Sequence, residues 1–317
     1  MSWPPLYGHE AVWRHLTRLL DEGRLPHALL LTGAPGIGKA LLAQRFMARL
    51  ACTGAVDNPP CGECSGCRQV AVGSHPDLFA VSAPDRRKKE TRKKEIGIEH
   101  ARELKRFVQL HAIAAARKMA LIDDADRLSL AAQNALLKTL EEPPGQALIM
   151  LVTAAPGALL PTVRSRCQRV LCRPLSDEQM CSLLAGLSLP APEAAALAAA
   201  ADGSPGRALA LRETLQDADR RDMERLLADL DATRYGSVVA MSKGLGNSEP
   251  ETVARLDGLL ALCHQAAVDA AATGDADQLD RAVRRATAVA EAARTLRWSN
   301  ANRNLLTETL ALRLART

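Results

Sequence analysis

Gly33-Ala34-Pro35-Gly36-Ile37-Gly38-Lys39-Ala40 has the spacing G-x-x-x-x-G-K of a phosphate-binding loop. The glycines let backbone N–H groups point at phosphate, and the lysine reaches the outer phosphate oxygens. The motif ordinarily ends in Ser or Thr, whose hydroxyl binds Mg²⁺. Here Ala40 stands there and has nothing to offer a metal. Gly33, Gly36, Gly38 and Lys39 are therefore expected to shape a nucleotide site, with ATP occupancy left open and hydrolysis impaired.

A second constellation is acidic. Met119-Ala120-Leu121-Ile122-Asp123-Asp124 is an apolar run of strand length ending in two carboxylates. In nucleotide-cleaving enzymes with this loop, such an Asp holds Mg²⁺. The following residue is usually a Glu that polarises water; Asp124 is shorter by one methylene. The other reading of the pair is a cap for the next segment.

A third constellation is Cys52 with Cys61-Gly62-Glu63-Cys64-Ser65-Gly66-Cys67. Four thiolates at this spacing fit a closed, structural Zn²⁺ site. An iron–sulfur cluster is the rival, but the ferredoxin run requires a further Cys followed by Pro, and Ala71 and Val72 occupy that place. Cys167, Cys172, Cys181 and Cys263 are scattered and read as small core residues.

The elements around these residues suit them. His27–Thr32 is a short apolar run, and Lys39–Leu50 carries Leu42, Phe46, Met47 and Leu50 at helical spacing. A strand, a glycine turn and a helix N-terminus form the arrangement that favours an anion. Another apolar strand, Ala147–Thr153, follows the acid pair, and Thr153 ends it with a polar side chain. The chain of 317 residues has room for two or three domains, and its net charge of +5 permits a nucleic-acid partner without requiring one. The start lacks the regions of a signal peptide, and no apolar run is long enough for a membrane span. A cytoplasmic location with no membrane partner is expected.

Leu136-Leu137-Lys138-Thr139-Leu140-Glu141-Glu142-Pro143-Pro144, followed by Arg164-Ser165-Arg166-Cys167, resembles the bacterial clamp loaders of the DNA polymerase III holoenzyme, members of the AAA+ family. The phosphate loop and the cysteine module add to the match, which covers most of residues 1–210. The segment Asn302–Glu308 is similar to the family's last collar helix. The resemblance implies an α/β RecA-like AAA+ domain with a parallel sheet over residues 1–171, with the zinc module at 52–67 inserted. It implies a small helical lid over 172–210 and an all-α collar domain over 211–317. The implied partners are the motor (γ/τ) and δ subunits in a hetero-oligomeric ring, the sliding clamp, and primed DNA. An impaired loop beside an intact Ser-Arg-Cys points to a non-motor subunit, with an ATP-hydrolysing motor as the alternative. Arg166 would then act in trans as an arginine finger on ATP bound by a neighbour. A guanidinium stays charged and can accelerate phosphoryl transfer by roughly 10³–10⁵.

Gly203-Ser204-Pro205-Gly206-Arg207 resembles the family's lid motif, whose Arg touches nucleotide in the same subunit. Its local reading is a helix start, with Ser204 as cap and Pro205 in the first turn. Both readings of Arg207 stand. The run Arg86–Lys94 is dense in charge and has no aromatic residue, which favours a solvated loop over a specific DNA contact. From about Leu211 the pattern is helical. Asp217–Leu230 places Met223, Leu226, Leu227 and Leu230 on one side; Thr252–Ala272 places Val253, Leu256, Leu260 and Cys263 together. Leu279, Val283, Ala286, Ala290 and Ala293 mark a further face. A zinc-dependent DNA-binding module is a third functional class, but it leaves Leu136–Pro144 and Ser165–Cys167 without a purpose.

Overall fold

In the computed structural model the chain divides into two compact units, residues 1–174 and 175–317. The structure describes residues 3, 6–54, 60–82, 95–143, 145–189, 191–216, 218–230, 235–246, 248–298 and 302–316. The basic run 86–94, residues 55–59 of the cysteine module, Pro144, Asp217 and Asn247 lie outside them.

The first unit is a parallel sheet covered by helices on both faces. Its strands are β1 (Ala28–Thr32), β2 (Leu78–Val81), β3 (Met119–Ile122), β4 (Leu148–Thr153) and β5 (Gln168–Leu171), in the order β2-β3-β4-β1-β5. Its helices are α1 (Glu10–Asp21), α2 (Lys39–Ala51), α3 (Ser65–Ala71), α4 (Ile98–Val108), α5 (Leu130–Glu141) and the short α6 (Pro161–Arg164). Every residue of β1, β3 and β4 is buried, which is why these strands read as unbroken apolar runs rather than alternating ones. Successive residues still part to opposite faces. Leu29 and Leu31 join Phe46 and Met47 in one core; Ala28 and Leu30 join Leu104, Leu136 and Leu140 in the other. Phe46 is fully buried and meets Trp13 edge-on, so its side chain contributes about 3 kcal/mol of burial.

Register decides where chemistry can gather. Thr32 pairs with Thr153, and Ile122 pairs with Leu151, so the carboxyl ends of β1, β3 and β4 lie side by side. Ligands of open parallel sheets bind at such ends.

The second unit is helical: α7 (Asp177–Gly186), α8 (Ala191–Ala200), α9 (Pro205–Gln216), α10 (Ala218–Ala228), α11 (Tyr235–Gly244), α12 (Glu249–Thr273), α13 (Ala276–Trp298) and α14 (Arg303–Ala315). Helix α12 packs on α8, α9 and α13. Gly274, at φ 72°, caps its end. Leu256, Leu260 and Cys263 are buried on α12 as their spacing predicts. Two expectations are corrected. Leu230 lies beyond the end of α10. On α13 the buried stripe is Ala282, Ala286, Val289, Ala293 and Leu296, while Val283 is 48% exposed. Close approach to α12 selects the small alanines, whereas a reading by apolar size selects the neighbouring valine.

Candidate nucleotide site, arginine turn and cysteine cluster

The glycine loop runs from the end of β1 into α2. Gly38 caps α2 at φ 93°, a conformation any side chain would strain. Pro35, Gly36, Gly38, Lys39, Ala40, Asp123, Asp124 and Thr153 line a single cleft of about 320 Å³, and Gly33 begins the loop beside it. The acid pair and the glycine loop, 84 residues apart between Lys39 and Asp123, thus meet in one place. Lys39 is 6% exposed, and its Nζ donates to the carbonyls of Gly33 at 2.9 Å and Ala34 at 2.7 Å. The loop is folded onto its own lysine. Burial lowers the Lys39 pKa, against the opposing fields of Cys172, Asp123, Asp126 and Asp124. Burial likewise raises Asp123, and the charges of Asp124 and Asp126 add to it. Asp124 opens a 3-10 turn at φ 50°, and its N–H donates to Asp123 Oδ1 at 3.0 Å.

Three partners of this cleft had no role in the sequence reading. His9 is 2% exposed and its Nε2 lies 2.6 Å from the Ile37 carbonyl. Because that oxygen only accepts, Nε2 carries the proton, and Nδ1 is buried with no hydrogen-bond partner among the described residues. Asp126 accepts from Thr153 Oγ1 at 2.6 Å and from the Ala154 N–H at 3.3 Å, which ties the end of β4 to the acidic turn. Gln133 is 4% exposed. Its Nε2 donates to Leu128 and Ala158 carbonyls, and its Oε1 accepts from Leu160 N–H at 2.7 Å. It joins the acidic turn to the segment that leads to Ser165. A buried amide among Ala132, Leu136 and Leu140 was the available signal.

Ser165, Arg166 and Cys167 form the turn between α6 and β5, opened by Pro161 in the first helical turn. Cys167 is buried in the core and Arg166 is part-exposed. The Arg166 guanidinium pairs with Glu141, the last residue of α5. Arg207 belongs to the second unit, at the start of α9, where Ser204 Oγ accepts its N–H at 3.3 Å. Its guanidinium pairs there with Asp202 and, at 3.0 Å, with Asp257.

Cys52, Cys61, Cys64 and Cys67 converge, with all four sulfurs within 4.8 Å of one another and Cys61 and Cys67 at 3.9 Å. A tetrahedral ion with metal–sulfur bonds of about 2.3 Å spaces its sulfurs by about 3.8 Å, so the thiols fit one such ion. A cluster of several iron atoms requires a wider set. Three N–H groups, of Cys61, Cys64 and Cys67, donate to the sulfurs of Cys52, Cys61 and Cys64 at 3.4–3.5 Å, as thiolates require. Burial opposes ionisation of Cys64, but the N–H groups of Cys67 and Thr53 outweigh it and bring it down to about 5; burial pushes Cys67 up to about 12. Gly66 is indispensable here, since a Cβ would lie 2.0 Å from the Ala51 carbonyl that α3 packs against.

The sheet order and the glycine loop between β1 and α2 define a P-loop α/β domain. A family model described as DNA polymerase III, delta subunit, matches residues 8–176, and the chain belongs to that family. The chain is 37% identical to the DNA polymerase III subunit delta′ of Pseudomonas aeruginosa over 51% of its own length and 47% of that protein's. It is 37% identical to the delta′ subunit of Escherichia coli K12, over 67% of this chain and 61% of that one. It is also 34% identical to the tau/gamma subunit of Haemophilus influenzae, over 67% of this chain and 31% of that one. The match thus spans about half the length of the first of these relatives.

Proposed function

We propose that this chain is a non-motor subunit of a clamp loader, supporting ATP-dependent loading of a sliding clamp onto primed DNA. The observation that carries this reading is the pairing of an altered cleft with a part-exposed arginine. Ala40 lines the cleft where a metal-binding hydroxyl belongs, while Arg166 stands on a surface turn. In this reading Arg166 completes the ATP site of a neighbouring γ/τ motor subunit. A δ subunit, the clamp and primed DNA are further partners. Gly33, Gly36, Gly38, Lys39, Asp123 and Asp124 retain a nucleotide-shaped site with little turnover, and Arg207 is the lid arginine that the resemblance implies. Cys52, Cys61, Cys64 and Cys67 hold a structural zinc ion. Residues 172–210 serve as lid and 211–317 as collar. No helix among the described residues is long and apolar enough to cross a membrane.

The test is ATP hydrolysis by the chain alone and after assembly with motor and δ subunits, clamp and primed DNA. Arg166→Ala should assemble normally and lower DNA-stimulated turnover; unchanged turnover in a complete complex overturns the reading. The 34% identity to a tau/gamma subunit supports a second reading, an active motor. Turnover by the isolated chain that disappears in Lys39→Ala would establish it.

A further inference from the structure

Four N–H donors of the Arg166 guanidinium are engaged by its own chain. Nε donates to Glu141 Oε1 at 2.7 Å, and Nη2 donates to the same oxygen. Nη1 donates to the Thr162 carbonyl at 2.8 Å and reaches Ser165 Oγ at 3.4 Å. The edge formed by Nε and Nη2, which can fork onto phosphoryl oxygens, is the edge that faces the carboxylate. Glu141 also cancels the positive charge that would draw a phosphate.

The backbone that carries Glu141 is anchored. Glu141 is the last residue of α5, and the preceding carbonyl, Leu140 O, lies 2.8 Å from His27 Nε2. The C-terminal end of a helix adds its own negative field toward a guanidinium. The other end of α5 is capped by Ser129, two residues after the acidic turn of the nucleotide cleft. Side-chain exposures of 31% for Arg166 and 47% for Glu141 leave the pair open to exchange.

We propose that Glu141 is a latch. It parks Arg166 against its own subunit, and the arginine acts on a neighbour's nucleotide only after trading this carboxylate for phosphate. The latch rests on the reading of Arg166 as an arginine acting in trans.

The experiment uses the assembled complex with Glu141→Gln, Glu141→Asp, Arg166→Ala and the Glu141→Gln/Arg166→Ala double variant. ATP turnover is measured without and with primed DNA. Exchange of the Arg166 Nε–H is followed by NMR in the isolated chain. Glu141→Gln should raise DNA-free turnover by up to roughly fivefold, the most that an exposed ion pair withholds. Glu141→Asp should give a smaller rise, the increase should vanish in the double variant, and the Nε–H should lose its protection. If Glu141→Gln leaves turnover unchanged or lowers it while Arg166→Ala lowers it, the latch is overturned and the finger stands. If Arg166→Ala has no effect, the finger is overturned and the latch falls with it.

Discussion

The carboxylate of Asp77 and the ammonium of Lys118 pair at 2.9 Å with side-chain exposures of 0% and 4%. The same carboxylate accepts the N–H groups of Ile113, Ala114 and Ala115, so one buried acid gathers the segment that feeds β3. Burial alone would raise its pKa, but Lys118 and these donors hold it far below the usual carboxylate range.

Asp77→Asn should therefore destabilise the first unit by about 3–5 kcal/mol, because Lys118 is left buried and uncompensated. A depressed folded pKa means that the contribution is complete above the unfolded value of about 3.9 and is lost as pH falls through the folded one. Urea unfolding at pH 7 and pH 3 measures both effects. An Asn variant as stable as the parent at pH 7 would refute the account.

Asp123 has the opposite sign. Its folded pKa is raised by burial and by Asp124 and Asp126. Stability from its neutral form is present below the unfolded pKa and is lost as pH rises through the folded value. Asp123→Asn should accordingly raise the unfolding midpoint at pH 7, with the gain shrinking toward pH 3. A variant less stable than the parent at pH 7 would contradict this.

Ala40 presents only a methyl group to the cleft. ATP binding to the isolated chain should therefore depend less on Mg²⁺ than binding to an Ala40→Ser variant, since no hydroxyl completes the metal's shell. Ala40→Ser should make binding metal-dependent, and Lys39→Ala should weaken it in either case. Isothermal titration separates these outcomes; strong Mg²⁺ dependence in the parent chain would count against the reading.

Loss of the His9 donor should be felt at the glycine loop. His9→Ala leaves the buried Ile37 carbonyl unpaired, at a cost of about 1–3 kcal/mol. Native-state hydrogen exchange should speed up first at the amides of 36–40. Uniform protection in the variant would show that His9 does not hold the loop.

The cysteine cluster predicts one zinc ion per chain by atomic emission. A chelator strong enough to strip it should lower the unfolding midpoint and expose four thiols to a thiol reagent. A metal-free chain with the parent midpoint would remove zinc from the fold.

What the sequence determined by itself was local. The glycine loop, the acid pair and the spacing of Cys61, Cys64 and Cys67 each lie within a short segment, where side-chain type and backbone geometry act together. The strands β1, β3 and β4 were legible because full burial on both faces demands unbroken apolar runs. Edge strands were not: β2 and β5 are partly exposed and lack that run. The buried face of α13 was misread because area favours Val283 while packing against α12 favours Ala282. The tertiary structure alone decided the pairs that span the chain. Asp77 meets residues 36–38 positions away, Glu141 meets Arg166 across 25, and His9 meets Ile37 across 28. A lone charge or imidazole carries no period and no spacing rule, so its partner is set by sheet order and register. Those follow from how the whole core packs, not from any stretch of residues.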